Sequence, residues 1–373
     1  MKLIVCGDFA ARYQLYHTIE NDTVGNNFDE VRPYFANADY SILNLESPIS
    51  EGNNGIKKSG PALKAPLNTI KVIKEMGIKC VTLANNHFMD QGKDAAINTM
   101  SLCKEHGIDF VGAGKNIADA RAVIYKEIDG IKLGVYNICE QEFSIAGEDK
   151  TGCAPLNPIQ NFYDIKKGKE ECDYLIVIVH GGTEFYTLPT PRMKETYRFF
   201  IDAGADAIIN HHQHCYSGYE IYNEKPIFYG IGNFIFDNDG TRNKLWEEGY
   251  MVELELIKDK PIKFNLIPYT QTINQKPYLQ IIKDKKEFNK QIEEYNNIIN
   301  SDTKLKDAFN KLAINKKKTY ESFLMPNIPI IKSLYFRNVI HAISQTQRTL
   351  LLNLIRCESH RDILLEILEN ENV

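Results

Sequence analysis

KLIVCGD, residues 2–8, is a short apolar and β-branched run that ends on Gly7 and Asp8, and four later runs repeat its plan. YSILNL (40–45) is followed by Glu46, and KCVTLA (79–84) by Asn85, Asn86 and His87. YLIVIVH (174–180) closes on His180, and DAIIN (206–210) leads into His211, His212 and His214. Such runs read as strands. Stretches of helical period lie between them, near 66–76, 92–106 and 190–203, the second starting after Asp90 and Gln91 and stopping at Gly107. Strands alternating with helices predict a layered α/β domain.

Two further runs, AVIYKEI (122–128) and KLGVYNI (132–138), flank Asp129 and Gly130, a hairpin signal. A second hairpin is expected over Tyr219–Tyr229, turning near Asn223 and Glu224, and a third from MVELELI and PIKFNLI on either side of Lys258–Lys260. The sheets should therefore be mixed, with the later strands more antiparallel than the earlier ones. After about residue 275 the composition shifts to Lys, Asn, Glu and Leu. Leu350, Leu351, Leu354, Ile355, Ile363, Leu364 and Ile367 then fit one or two amphipathic helices. The expected division is an α/β domain over 1–275 and a helical extension over 276–373.

The 373 residues are 43% apolar and 25% charged, as in ordinary folded domains. A net charge of −5 leaves no global basic field for a nucleic-acid backbone, so nucleic acid is not an expected partner. The sequence contains no run of 18 or more apolar residues, so no transmembrane segment is expected. Eight cysteines are scattered without a CxxC pair, which suits a reducing compartment. Cys6 and Cys215, close to the strand ends, read as small buried hydrophobes.

In open α/β sheets the ligand crevice lies outside the carboxyl ends of the strands. Five strand ends here carry carboxylate, amide or imidazole groups, and a bland explanation would need each of them to be a separate cap or core group. Imidazole with carboxylate and amide oxygen suits Mn, Fe or Zn better than Ca. The candidate metal ligands are Asp8, Glu46, Asn86, His180, His212 and His214, enough for one or two ions. Paired ions about 3.5–4 Å apart can clamp both oxygens of a phosphoryl displacement, with Glu46 the natural bridge. His87 is the candidate acid toward the substrate or leaving group, and Glu184 in HGGTEFY a second acid or an orienting group. Lys64, in the stiff loop GPALKAP (60–66), could reach an anionic substrate, although a solvated lysine is the ordinary alternative. In YGIGNFIFD (229–237) the glycines allow close backbone approach beside Asn233, a candidate substrate contact, while Phe234 and Phe236 read as core.

These residues fall into runs with a known order. GD (7–8), NLESPI (44–49), GPALKAP, LANNHFMDQG (83–92), VGAG (111–114), HGGTEF (180–185), NHHQH (210–214) and YGIGNFIFD resemble the motifs of the bacterial capsule-synthesis (CapA-type) family, over about residues 1–240. That family is associated with capsule and poly-γ-glutamate synthesis and is similar to the calcineurin-type metallophosphoesterases. The resemblance implies a two-sheet β-sandwich flanked by helices. It also implies metal roles for Asp8, Glu46, Asn86, His180, His212 and His214, and a catalytic role for His87. Three departures stand out: Ala10 replaces the phosphoesterase His two places after the first Asp, Glu46 replaces a bridging Asp, and Asn210 and Gln213 replace a Gly and a Pro. Loss of the first His weakens one of two metal positions. Many family members carry an N-terminal anchor or signal that is not read here, so a cytoplasmic location is expected.

Two functions follow. One is a metal-dependent hydrolase acting on an anionic small-molecule or polymer substrate, either a phosphate ester or a capsule or poly-γ-glutamate chain. The other is a non-catalytic accessory or binding protein in polymer synthesis, with a capsule-synthesis partner or self-association through the C-terminal helices.

Overall fold

The structure is a computed structural model that describes residues 1–58, 60–237, 244–273, 276–325 and 328–356, with 360, 363, 364 and 368 beyond them. In chain order its strands are β1 (Lys2–Ala10), β2 (Tyr40–Leu45), β3 (Cys80–Thr82), β4 (Asp109–Val111), β5 (Ala113–Gly114), β6 (Ile124–Ile128), β7 (Ile131–Cys139), β8 (Gly152–Cys153), β9 (Tyr174–His180), β10 (Ala207–His211), β11 (Tyr219–Tyr222), β12 (Lys225–Phe228), β13 (Asn233–Phe236), β14 (Glu248–Glu255), β15 (Lys263–Ile273) and β16 (Lys276–Ile281). Among the described residues one main sheet has the order β16-β15-β14-β1-β2-β3-β4, with β13 also on β1, and the other the order β11-β12-β10-β9-β7-β6. β5 and β8 pair apart from both.

The unbroken apolar runs are explained by burial on both faces. Leu3 and Val5 meet Ile42, Ile176, Ile178 and Ile209 between the two sheets. Ile4 and Cys6, on the opposite face of β1, join Leu43 and Leu45 against Leu15, Ile19, Ile73 and Met76 of the covering helices. Each aliphatic side chain taken fully out of water there contributes about 1.5–3 kcal/mol. The two-sheet, helix-flanked arrangement is the one the resemblance implied. The strands β1-β2-β3-β4 are parallel, as are β7-β9-β10-β12, and the antiparallel members lie at β14–β16, β6 and β11.

All three expected hairpins form, and each has turn residues in the left-handed region: Asp129 and Gly130 at φ 51° and 73°, Asn223 and Glu224 at 48° and 61°, and Asp259 at 59°. The expected helices are Thr69–Met76, Gly92–Glu105 and Pro191–Ala203.

The chain divides into two compact units, Met1–Leu305 and Lys306–Val373. The division therefore falls at 305/306 instead of the expected 275/276. Residues just past 275 were expected to be helical, yet Lys276–Ile281 pairs with β15 as an edge strand. The helix Lys286–Ile299 then buries Phe288 against Tyr216 and Tyr250, with ring centroids 5.4 and 5.7 Å away. Within the second unit the helices Pro329–Phe336 and Gln345–Arg356 are present, and Tyr335 and Arg348 both bind Glu321, at 2.7 and 3.0 Å. Ile367 of the expected apolar stripe lies outside the described residues.

Candidate metal centre

Asp8 sits where β1 changes partner. The first half of β1 pairs with β14 and the second with β13, and the register slips on both sides of Asp8. Such a bulge re-aims a side chain out of the strand's alternation. Gly7 makes the close approach to β13 feasible, since a Cβ there would lie 1.8 Å from the Gly232 carbonyl oxygen. Asp8 Oδ1 accepts a hydrogen bond from Asn44 Nδ2 at 2.7 Å, and Oδ2 one from the His212 backbone N–H at 3.0 Å.

The other donors arrive on neighbouring strand ends. Glu46 follows β2 and is anchored through its N–H to the Phe9 carbonyl at 2.9 Å. Asn86 and His87 follow β3, where Asn85 acts as a strut: its Nδ2 donates to the Leu45 carbonyl at 2.9 Å and its Oδ1 accepts the His87 N–H at 3.1 Å. His180 ends β9 directly opposite His211 at the end of β10. His212 and His214 lie beyond it at φ 86° and 54°, strained values for imidazole residues that are found preferentially at functional sites.

Two groups of donors meet at Glu46. In the first, His180 Nε2 lies 3.1 Å from Asn86 Oδ1, 3.1 Å from His212 Nδ1 and 3.6 Å from Glu46 Oε1. In the second, His214 Nε2 lies 3.7 Å from Glu46 Oε1, and its Nδ1 3.6 Å from Asp8 Oδ2. His211 Nδ1 is 3.9 Å from Asp8 Oδ1. Ligand atoms of Asp8, Glu46 and His214, of Glu46, His180 and His212, and of Asp8, His180 and His211 lie within 4.8 Å of one another in each set. Both oxygens of Glu46 and both ring nitrogens of His211 are buried without a hydrogen-bond partner. Buried polar atoms are nearly always satisfied, so orphaned acceptors inside a mixed O/N cluster fit a divalent first-row cation.

Electrostatics point the same way. Burial pushes the Asp8 carboxyl up to about 7. Burial, reinforced by the negative charges of Asp8, Glu184 and Asp90, holds Glu46 well above the usual carboxylate range. Burial also lowers His211 to about 3, His212 to about 4 and His214 to about 3, and His180 falls well below its ordinary value. The imidazoles are thus neutral at physiological pH, the form that binds metals, and burial disfavours the charged form of the acids.

His87 stands in a different setting. Its Nδ1 is 2.5 Å from Asp90 Oδ2, and Lys58 Nζ reaches Asp90 Oδ1 at 2.7 Å, the Asn86 carbonyl at 3.1 Å and His87 Nδ1 at 3.3 Å. The side chains of Lys58 and Asp90 are 2% and 0% exposed.

The remaining expected residues are spread out. Asn233 Oδ1 binds His214 Nδ1 at 2.8 Å and so orients that ring. Glu184 is exposed, and its charge is one of those felt at Glu46. Lys64 donates to the Gly52 carbonyl at 3.4 Å and lies over Tyr16, away from the cluster; the lysine that reaches it is Lys58. Sequence reading had not singled out Lys58, Asp90, Asn44 or the unpartnered state of His211. Asp90, three residues after His87 in LANNHFMD, carried the one usable signal. Ala10, in the position of the missing imidazole, packs with Leu63, Phe236 and Trp246.

Fold and cluster together define a two-sheet α/β protein with a buried carboxylate–imidazole pocket at the carboxyl ends of its strands. Residues 2–238 match the family of the bacterial capsule synthesis protein PGA_cap, and the chain belongs to that family. It is 33% identical over 226 residues to the capsule biosynthesis protein CapA of Bacillus anthracis, an alignment covering 58% of this chain and 55% of that protein. It is 30% identical over 268 residues to the PGA biosynthesis protein CapA of Bacillus subtilis, covering 70% and 69%. The chain thus spans about half the length of the first relative. Among solved structures, a phosphatase of Mycoplasma pneumoniae is similar over 72% of this chain and 93% of its own, at 18% identity and a TM-score of 0.47. Among the described residues no helix is long and apolar enough to cross a membrane.

Proposed function

We propose that the chain is a metal-dependent hydrolase of the capsule-synthesis type, acting on a phosphate ester or on a capsule- or poly-γ-glutamate-related substrate. The observation that carries this reading is Glu46: two buried oxygens without partners, one of them within 3.7 Å of an imidazole from each donor group. Asn86, His180 and His212 would hold one ion and Asp8 and His214 a second, with Glu46 shared. A bound divalent ion of the Mn, Fe or Zn class supplies Lewis acidity and brings the ionisation of a coordinated water toward neutral pH.

The chain's own groups supply the rest. Asp90 accepts the Nδ1 proton of His87, which leaves Nε2 as the exchanging nitrogen; having taken a proton from the attacking water, Nε2 can pass it to a leaving oxygen. Lys58 balances the buried Asp90 carboxylate, so the imidazole is held without being driven to the fully charged form. Asn44 and Asn233 orient Asp8 and His214, the work of groups that fix ligand direction.

A second reading, a non-catalytic accessory protein, is favoured by Ala10, which packs among apolar side chains at the position where the phosphoesterase pattern has a histidine. Exposed Ile314, Phe323 and Ile330, at 71%, 67% and 73%, would then serve self-association or a capsule-synthesis partner. One experiment separates the two: metal analysis of purified protein with a phosphomonoesterase and phosphodiesterase screen in added Mn. Stoichiometric metal with turnover that is lost in Asp8→Ala supports the hydrolase. Metal without turnover on any ester supports the accessory protein, and no metal at all rejects both uses of the pocket.

A further inference from the structure

Around His214 the pocket wall changes from polar to aromatic. Trp246 and Phe236 each lie 4.9 Å from the His214 ring centroid and 4.9 Å from one another. Phe185 stacks on Trp246 at 5.7 Å and 26°, and tilts over His214 at 6.2 Å. On the other side the Arg12 guanidinium lies 5.9 Å from the Phe236 ring and 4.8 Å from that of Tyr13, whose hydroxyl it binds at 3.1 Å. The row starts at a buried imidazole and ends at two rings that stay open to solvent, Phe185 at 47% and Tyr13 at 44% exposed.

The backbone indicates that these two exposed rings are held in place at a cost. Phe185 and Tyr13 have φ of 61° and 41°, a region that disfavours bulky side chains. Among the described residues, the other non-glycine positions with positive φ are His212 and His214 of the pocket, and Asp, Asn or Glu at turns. The Phe185 N–H is fixed to the Gln213 carbonyl at 2.8 Å, so the loop that presents Phe185 is tied to the one that presents the imidazoles. Strained residues persist where surrounding structure over-determines them, and they cluster at ligand clamps. Exposed aromatic faces next to a cation suit a flat ring attached to an anion, by stacking and by charge.

We propose that this row is a ring-binding subsite: it stacks the flat ring of a phosphate ester on Phe185 while the phosphate occupies the metal centre and Arg12 adds positive charge at the entrance. The proposal rests on the phosphate-ester reading above and narrows it, since a linear poly-γ-glutamate chain has no ring to stack.

Trp246 is the only tryptophan in the chain, so its fluorescence reports on the row directly. Metal-loaded protein is titrated with phenyl phosphate and with cyclohexyl phosphate, esters of similar size of which only the first carries a flat ring, and metal content is measured in parallel. Phenyl phosphate should bind about five- to ten-fold more tightly, and Phe185→Ala should bring the ratio close to one. Equal affinities in metal-replete wild-type protein would overturn the subsite and leave the metal centre standing. Glucose 1-phosphate binding as tightly as phenyl phosphate would overturn the preference for a flat ring. Failure to retain metal and to bind either ester would remove the reading on which the subsite depends. The wild-type comparison decides the matter even where Phe185→Ala does not fold.

Discussion

Glu46→Gln is expected to remove a loss of stability with rising pH from the metal-free protein and to make the metal-loaded protein less stable. Glu46 is fully buried, both its oxygens lack partners, and burial with the charges of Asp8, Glu184 and Asp90 raises its pKa well above 4.5. The sign follows from proton linkage. Below pH 4.5 the carboxyl is protonated whether the chain is folded or unfolded, and it imposes no pH-dependent penalty. As pH rises, the unfolded chain releases the proton while the folded chain keeps it, so stability falls by about 1.4 kcal/mol per pH unit until the folded pKa is passed. The penalty grows as pH rises above 4.5 and stops growing once the raised folded pKa is passed. Glutamine keeps the shape and removes the titration; its buried amide costs about 1–3 kcal/mol for lack of partners, but at every pH alike. The slope of the wild-type minus variant difference is therefore diagnostic, and the offset is not. Urea denaturation in chelator, at half-unit steps from pH 4.5 to 6.5, measures it. Added Mn at a hundred times its dissociation constant should then stabilise wild type by about 2.7 kcal/mol and the variant far less. Parallel stability profiles for the two proteins in chelator, or equal stabilisation by Mn, would refute the argument that Glu46 is an uncompensated acid shared by cations.

Three further outcomes are expected. His87→Ala should lower turnover of an aryl phosphate about 10²–10⁴-fold while metal content measured by mass spectrometry stays at the wild-type level; loss of metal instead would make His87 a ligand. Lys58→Met leaves Asp90 buried beside an imidazole without its cation and should cost about 3–5 kcal/mol in urea denaturation, a loss below about 1 kcal/mol refuting the buried pair. Gly7→Ala forces a Cβ onto the Gly232 carbonyl and should cost about 1–3 kcal/mol or more in thermal melts, with weaker metal binding because Asp8 is displaced; an unchanged melt and affinity would show that β1 and β13 have room to separate.

The donors at the pocket were legible because each follows a run whose apolar residues mark a strand, and strand ends of one sense face one rim. His180 and His211 illustrate this: YLIVIV and DAII are self-evident strands, and their parallel register alone sets the two imidazoles side by side. Lys58 was not legible, since a lysine in a polar loop is ordinarily solvated; its burial depends on the cavity formed by Asp90, Asn86 and His87. Lys64, in the more conspicuous proline-flanked loop, carries its ammonium to Gly52 and Tyr16. In Asn233–Phe236 the sequence offers Asn233 as a candidate substrate contact and Phe234 and Phe236 as core, but not the strand, because four residues have too little pattern to declare a pairing partner more than two hundred positions away.

The sequence by itself determined the local conformations and the list of donors. Apolar runs specify strands covered on both faces, Asp129-Gly130 and Asn223-Glu224 specify turns with positive φ, and the polar residues after each strand specify the chemistry of the rim. These are encoded by neighbours along the chain, through sterics and burial. Only the tertiary structure decided that Glu46 is shared by two groups of imidazoles, that Phe185 and Trp246 form a row with His214, and that residues 276–305 belong with the first unit. Each of those facts is a contact between segments remote in sequence, created when two sheets pack face to face, and no local pattern carries the distance between them.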